Sequence, residues 1–167
     1  PLYSSAASDV YKRQPPGAPI EGDPNPAGDR HVIVLDRDAC ILYETFDSWP
    51  PGDLSGQSWC NDPTAWCAWS GATFDLSWNT LRSDGWTSAD AAGLPILPGL
   101  VRWEEVQSGE IRHAIRFTAS TTRTEYVWPA RHQAGHTTDT DVPAMGQRFR
   151  LRADFDLTGF SPEVRVI

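Results

Sequence analysis

The chain has 167 residues, enough for one domain, and carries a net charge of −8. That acidity excludes a nucleic-acid surface, which needs clustered Lys and Arg to neutralise phosphates, and no apolar run approaches the roughly 18 residues of a membrane span. Eight Trp and 14 Pro point instead to a loop-rich β protein with aromatic surfaces.

In chain order, the opening "PLYSSAASDVYKRQ" (Pro1–Gln14) has neither the apolar stretch nor the cleavage site of a signal peptide. It resembles the translated sequencing adapters found at the ends of metagenomic reading frames and is set aside as non-native. Residues 15–29, "PPGAPIEGDPNPAGD", form a Pro/Gly-rich arm. Residues 30–167 are expected to be a single domain, a fragment truncated at its C-terminus, because "SPEVRVI" stops as an apolar period begins, with Ser161 as helix N-cap and Pro162 at N1.

"HVIVLDRDACILYETF" predicts a β-hairpin: two apolar runs, His31–Leu35 and Cys40–Phe46, flank the polar turn "DRDA". Cys40 then reads as a buried thiol. A long loop from Trp49 to Trp69 precedes a short strand, Ser70–Ser77. Within that loop, Cys60 and Cys67 can close a disulfide if the protein is exported.

Strict alternation predicts two further strands. In "GEIRHAIRFTAS", Ile111, His113, Ile115 and Phe117 share a face; in "QRFRLRADFDL", Phe149, Leu151, Ala153, Phe155 and Leu157 do. "TEYVWPARH" is expected to be the strand between them. The fold class is therefore all-β: an antiparallel, jelly-roll-like β-sandwich with long ordered loops and minor helix.

The stretch "GWTSADAAGLPILPGLVRWEEV" (Gly85–Val106) is too long for a plain connection. Its Leu94, Ile96, Leu97, Leu100 and Val101 require burial, Pro95 and Pro98 stiffen it, and "LVRWEEV" suits one helical turn. It is expected to form one wall of a groove, with His113 or His132 opposite.

"GDRHVIVLDRDACILYETF", "GWTSADAAGLPILPGLVRWEEVQSGEIRHAIRFT" and "YVWPARH" resemble a widespread family of exported bacterial proteins of unassigned activity, over roughly residues 15–167. The resemblance implies an extracellular or periplasmic location and longer relatives, but no chemistry.

Chemistry must come from the residues. His113 interrupts an apolar face, either as a core histidine or as an acid/base group in a cleft. His132 ends the next segment. Glu104 and Glu105 diverge by about 100° on a helical turn, so a carboxylate pair would combine one of them with Asp75 or Asp90; Asp90 equally suits a turn cap. The candidate catalytic set is His113, His132, Glu105 and Asp90. Trp86, Trp103, Tyr126 and Arg131 are the candidate substrate-binding residues, although Trp86, Trp103 and Trp128 also read as packing residues. "HQAGHTTDTD" offers His132, His136, Asp139 and Asp141, but Gly135 and the threonines argue for a loop, so no metal is assigned, and no cofactor. Two functions fit: an exported carbohydrate-active or carbohydrate-binding domain, hydrolase or lyase included, whose partner is a polysaccharide, or a non-catalytic secreted module for another extracellular ligand.

Overall fold

The computed structural model describes residues 14–24, 28–53, 60 and 62–167. The non-native assignment of residues 1–14 lies outside them but for Gln14, and the loop tryptophan Trp59 lies outside them too.

Strands and loops predominate, with little helix. β1 (Val32–Asp36), β2 (Ile41–Trp49) and β3 (Cys67–Asp75) form one antiparallel sheet in the order β1-β2-β3. The hairpin register pairs Val34 with Tyr43, and the second ladder pairs Leu42 with Phe74 and Glu44 with Ala72. The turn between β1 and β2 is held by the Asp36 carboxylate, which accepts the Ala39 N–H at 3.0 Å. Cys40 belongs to this turn, not to the strand: its φ is 56° and its side chain is exposed, which corrects the buried-thiol expectation.

Residues directly opposite in a ladder share a face, so Ile33, Leu42, Glu44, Ala72 and Phe74 line one side of the sheet. Leu42, Ala72 and Phe74 form the core cluster, with Ile33 and Leu97 packed against it. Leu97 belongs to the Gly85–Val106 connection, so the layer over this face is that connection. It contains a single 3-10 turn (Leu97–Gly99) and the first helix, α1 (Trp103–Ser108). Complete burial of Leu42 is worth about 1.5–3 kcal/mol. At the far end of β2, Arg30 is buried, donates from Nε to the Ser48 carbonyl at 3.0 Å and lies 4.1 Å from the Trp49 ring.

The segment 111–118 carries no strand, and neither does 147–157. Arg116 gives its backbone N–H to Gly99 of the connection at 2.9 Å, a single bond and not a ladder. Phe117, Phe149, Leu151 and Phe155 stay exposed, Phe117 meeting Phe149 edge-on with ring centroids 5.6 Å apart. In place of the strand expected at "TEYVWPARH" there are two isolated parallel bridges, Arg123 with Thr137 and Tyr126 with Met145. The terminal helix α2 (Pro162–Val166) does start at Ser161, with Pro162 in its first turn. Among the described residues no helix is long and apolar enough to cross a membrane.

A disulfide joins Cys60 to Cys67 with their Cα atoms 5.9 Å apart, and both Cys60 and the adjacent Trp66 are buried. Closing so short a loop is worth about 2–3 kcal/mol by the chain-entropy estimate. The Cys60→Ser/Cys67→Ser variant is therefore expected to lose about that much in urea unfolding at matched pH. Unchanged stability would mean that the bridge does not constrain the unfolded chain.

Candidate functional site

The connection is fastened to the sheet by a residue that the sequence analysis did not single out. Glu44, completely buried in the middle of β2, accepts the Ile96 N–H on both carboxylate oxygens (2.9 and 2.8 Å) and the Leu97 N–H on Oε1 (2.9 Å). Burial pushes its pKa up to about 7, against the lowering effect of the two backbone donors; nearby Asp90 raises it further and Arg116 lowers it. A carboxylate inside "CILYETF", where its neighbours in the strand are apolar, was the available signal, because buried charges occur only with partners.

Ser88 shapes the start of the connection. Its buried hydroxyl oxygen lies 2.8 Å from the carbonyl oxygens of both Asp90 and Leu94 and accepts the Asp90 N–H at 3.0 Å. Asp90 itself accepts the Ala92 N–H and pairs with Arg116 at 3.2 Å. It therefore serves as a turn cap and as the anchor of the segment carrying His113.

Glu105 sits in the first turn of α1, where its carboxylate reaches back to Arg102, 3.0 Å from the backbone N–H and 2.6 Å from Nη2. The Arg102 guanidinium, with help from His113, holds its pKa down to about 2. His113 has both ring nitrogens occupied: Nδ1 lies 3.0 Å from the Ala114 carbonyl oxygen and Nε2 3.2 Å from Glu105. Two acceptors favour two donors, and the His113 pKa is raised by the Ala114 carbonyl and then by Glu105. The stabilisation from this pairing is present below the ordinary histidine pKa and is lost as pH rises through the raised one. In an NMR pH titration His113 is expected to titrate above its ordinary value, and Glu105→Gln to return it part of the way, since the Ala114 carbonyl remains. An identical midpoint in both proteins would refute the pairing.

His132 gives Nδ1–H to the Ala91 carbonyl at 2.9 Å. It thus meets the connection at Ala91, whereas His113 meets it at Glu105. Arg131 exchanges backbone bonds with the connection, donating to the Ala92 carbonyl and accepting from the Gly85 N–H, while its guanidinium binds Asp84 (3.2 Å) and the Arg82 carbonyl (3.0 Å). Tyr126 donates to the same Asp84 at 3.1 Å, which raises the phenol pKa. Trp86, Trp103 and Trp128 are all exposed, contrary to the packing expectation; Trp49 and Trp66 are the buried indoles. Among the described residues no group of three His, Cys, Asp or Glu is placed to hold a metal.

Gly93, Pro95 and Pro98 border an open cavity of about 230 Å³. The rest of the lining includes the end of β3, with Asp75, and the loop that follows it, with Trp78, Asn79 and Arg82, and not His113 or His132. Trp78 is 73% exposed at this cavity, the most exposed large apolar residue among those described. Compared with protein families, with curated proteins and with solved structures, the chain matches none. The reading of function therefore rests on these residues.

Proposed function

We propose that the chain is an exported carbohydrate-binding module without a hydrolytic centre, and that sugar is taken in the cavity beside Trp78. The observation that carries this reading is Trp78 itself, a wet indole beside a wall stiffened by Pro95 and Pro98, with Asp75 and Asn79 at hand. An exposed aromatic face accepts the apolar side of a pyranose, and a carboxylate and an amide satisfy its hydroxyls. A wall already rigid loses little entropy when ligand arrives. The cavity is smaller than the roughly 300 Å³ at which pockets for drug-sized ligands begin, which suits one sugar ring of a longer chain. Export is supported by the Cys60–Cys67 disulfide and by the family resemblance.

A hydrolase or lyase reading has weaker support. Glu105 is held ionised by Arg102, Asp90 is paired with Arg116, and Glu44, the one carboxyl among the described residues raised towards neutrality, has no exposed surface. A general acid needs a raised pKa and access to substrate together.

Affinity electrophoresis through gels containing soluble neutral or acidic polysaccharides tests the proposal. Retardation by at least one glycan is expected, with Trp78→Ala weakening it at least about tenfold, as for truncation of an aromatic hot spot. Migration unaffected by every glycan, or retardation that survives Trp78→Ala, would remove the basis for this reading.

A further inference from the structure

Two arginines that hold the connection have their own carboxylates: Arg116 has Asp90 and Arg131 has Asp84, each at 3.2 Å. Arg82 does not. It is partly buried and lines the Trp78 cavity; its Nε is buried without a hydrogen-bond partner, and among the described residues its guanidinium has no carboxylate within ion-pair distance. Its neighbour is the face of Trp86, 5.6 Å from the guanidinium carbon. Burial pushes its pKa down, with no offsetting charge or hydrogen bond. A buried Nε–H without an acceptor is costly, because it forfeits its hydration.

We propose that Arg82 makes this cavity selective for acidic sugar, its guanidinium receiving the carboxylate of a uronic acid residue whose ring lies on Trp78. The proposal rests on the reading of the cavity as a sugar site and adds the ligand class. A planar carboxylate matches the planar guanidinium fork. Asp75, which also lines the cavity and accepts the Ser77 N–H at 2.9 Å, repels a carboxylate and accepts hydroxyls. The two groups therefore orient the ring, acid towards Arg82 and hydroxyls towards Asp75. Diffuse attraction contributes nothing, since the whole chain carries a charge of −8 and repels polyanions.

The test is calorimetric titration with oligogalacturonides, with the same oligosaccharides as methyl esters, and with a neutral galactan oligosaccharide. The free acid is expected to bind about 10- to 100-fold more tightly than its methyl ester, the range of a charge-assisted pair. Arg82→Gln is expected to remove that preference, so that acid and ester bind alike, while Trp78→Ala weakens all three. Arg82→Lys keeps the charge but not the fork and should fall between. The comparison of acid with ester on the unaltered protein needs no variant to fold. Equal affinity for acid and ester overturns the acidic-sugar assignment, and leaves the sugar-site reading standing if Trp78→Ala still weakens binding. Acid binding that survives Arg82→Gln overturns the role of Arg82. No binding of any of the three, with none of the polysaccharide gels retarding the protein, overturns both readings.

Discussion

Replacing Glu44 by alanine is expected to destabilise the fold by about 3–5 kcal/mol near pH 5, and by clearly less at about pH 8. The size follows from what the side chain leaves behind: the Ile96 and Leu97 N–H groups lose their shared acceptor, and each such group costs about 1–3 kcal/mol when unmet. The direction with pH follows from linkage. Folding raises the Glu44 pKa from 4.5 to about 7, so between those values the folded chain holds a proton that the unfolded chain has released. Stability from this group is therefore greatest below pH 4.5 and is lost as pH rises to about 7, at roughly 1.4 kcal/mol per pH unit through that interval, about 3 kcal/mol in all. Asp90 and Arg116, the charged groups facing Glu44 from the connection and from the segment after it, act in opposite directions. Neither Glu44→Ala nor Glu44→Gln can show this dependence, so the gap to the unaltered protein should narrow as pH rises. Urea unfolding followed by circular dichroism at several pH values measures it. A gap that stays constant or widens would mean that the carboxyl is not held neutral in the fold.

The second large effect is expected at Gly146. Its φ is 81°, a region that costs a side chain about 1 kcal/mol or more. An added methyl would also strike the Val127 carbonyl oxygen and come within 2.7 Å of the Ala130 Cβ. Neither can yield: Val127 takes a 2.8 Å bond from its N–H to the Met145 carbonyl, Ala130 donates back to the Val127 carbonyl at 3.0 Å, and Ala130 and Ala144 are both buried. Gly146→Ala is therefore expected to cost about 3–4 kcal/mol, in the range of strain combined with core overpacking. Gly109, at the end of α1, supplies the control. Its φ is 79°, but a methyl there meets nothing within 4 Å, so Gly109→Ala should cost only about 1 kcal/mol. Thermal and urea unfolding of the pair separates backbone strain from contact. Equal losses at the two positions would show that the contact does not matter.

What could be read from the sequence was local. The hairpin follows from two apolar runs around a turn of Asp and Arg residues, and the strands came within a few residues of Val32–Asp36 and Ile41–Trp49. The ordered connection followed from its aliphatics and prolines, and its helical turn formed at Trp103–Ser108. Alternation misled at 111–118 and 147–157, because period two states only that a segment suits a ladder and does not supply a partner. Around His113 the local bonds prevailed: Arg116 to Gly99 and Asp90, and His113 to Glu105. The candidate site divides in the same way. Asp90, Glu105, His113, His132 and Arg131 all touch the connection, as their chemistry suggested, but they fasten it. The cavity uses Trp78, Asn79 and Arg82, polar and aromatic residues in a short loop that carries no period and no motif.

The backbone exchange at residue 131 also bears on the order in which the chain can assemble during synthesis. The three strands and the Glu44 carboxylate are complete once residue 97 has been made, and they can form while the rest is still emerging. The bonds from Gly85 to Arg131 and from Arg131 to Ala92 cannot. They join segments some forty residues apart, a separation whose closure is entropically slow. Until that late peptide arrives, the stretch from Gly85 to Ala92 hangs on Ser88, on the Asp90–Arg116 pair and on the clamp at Ile96 and Leu97, so it is the last part of the connection to set.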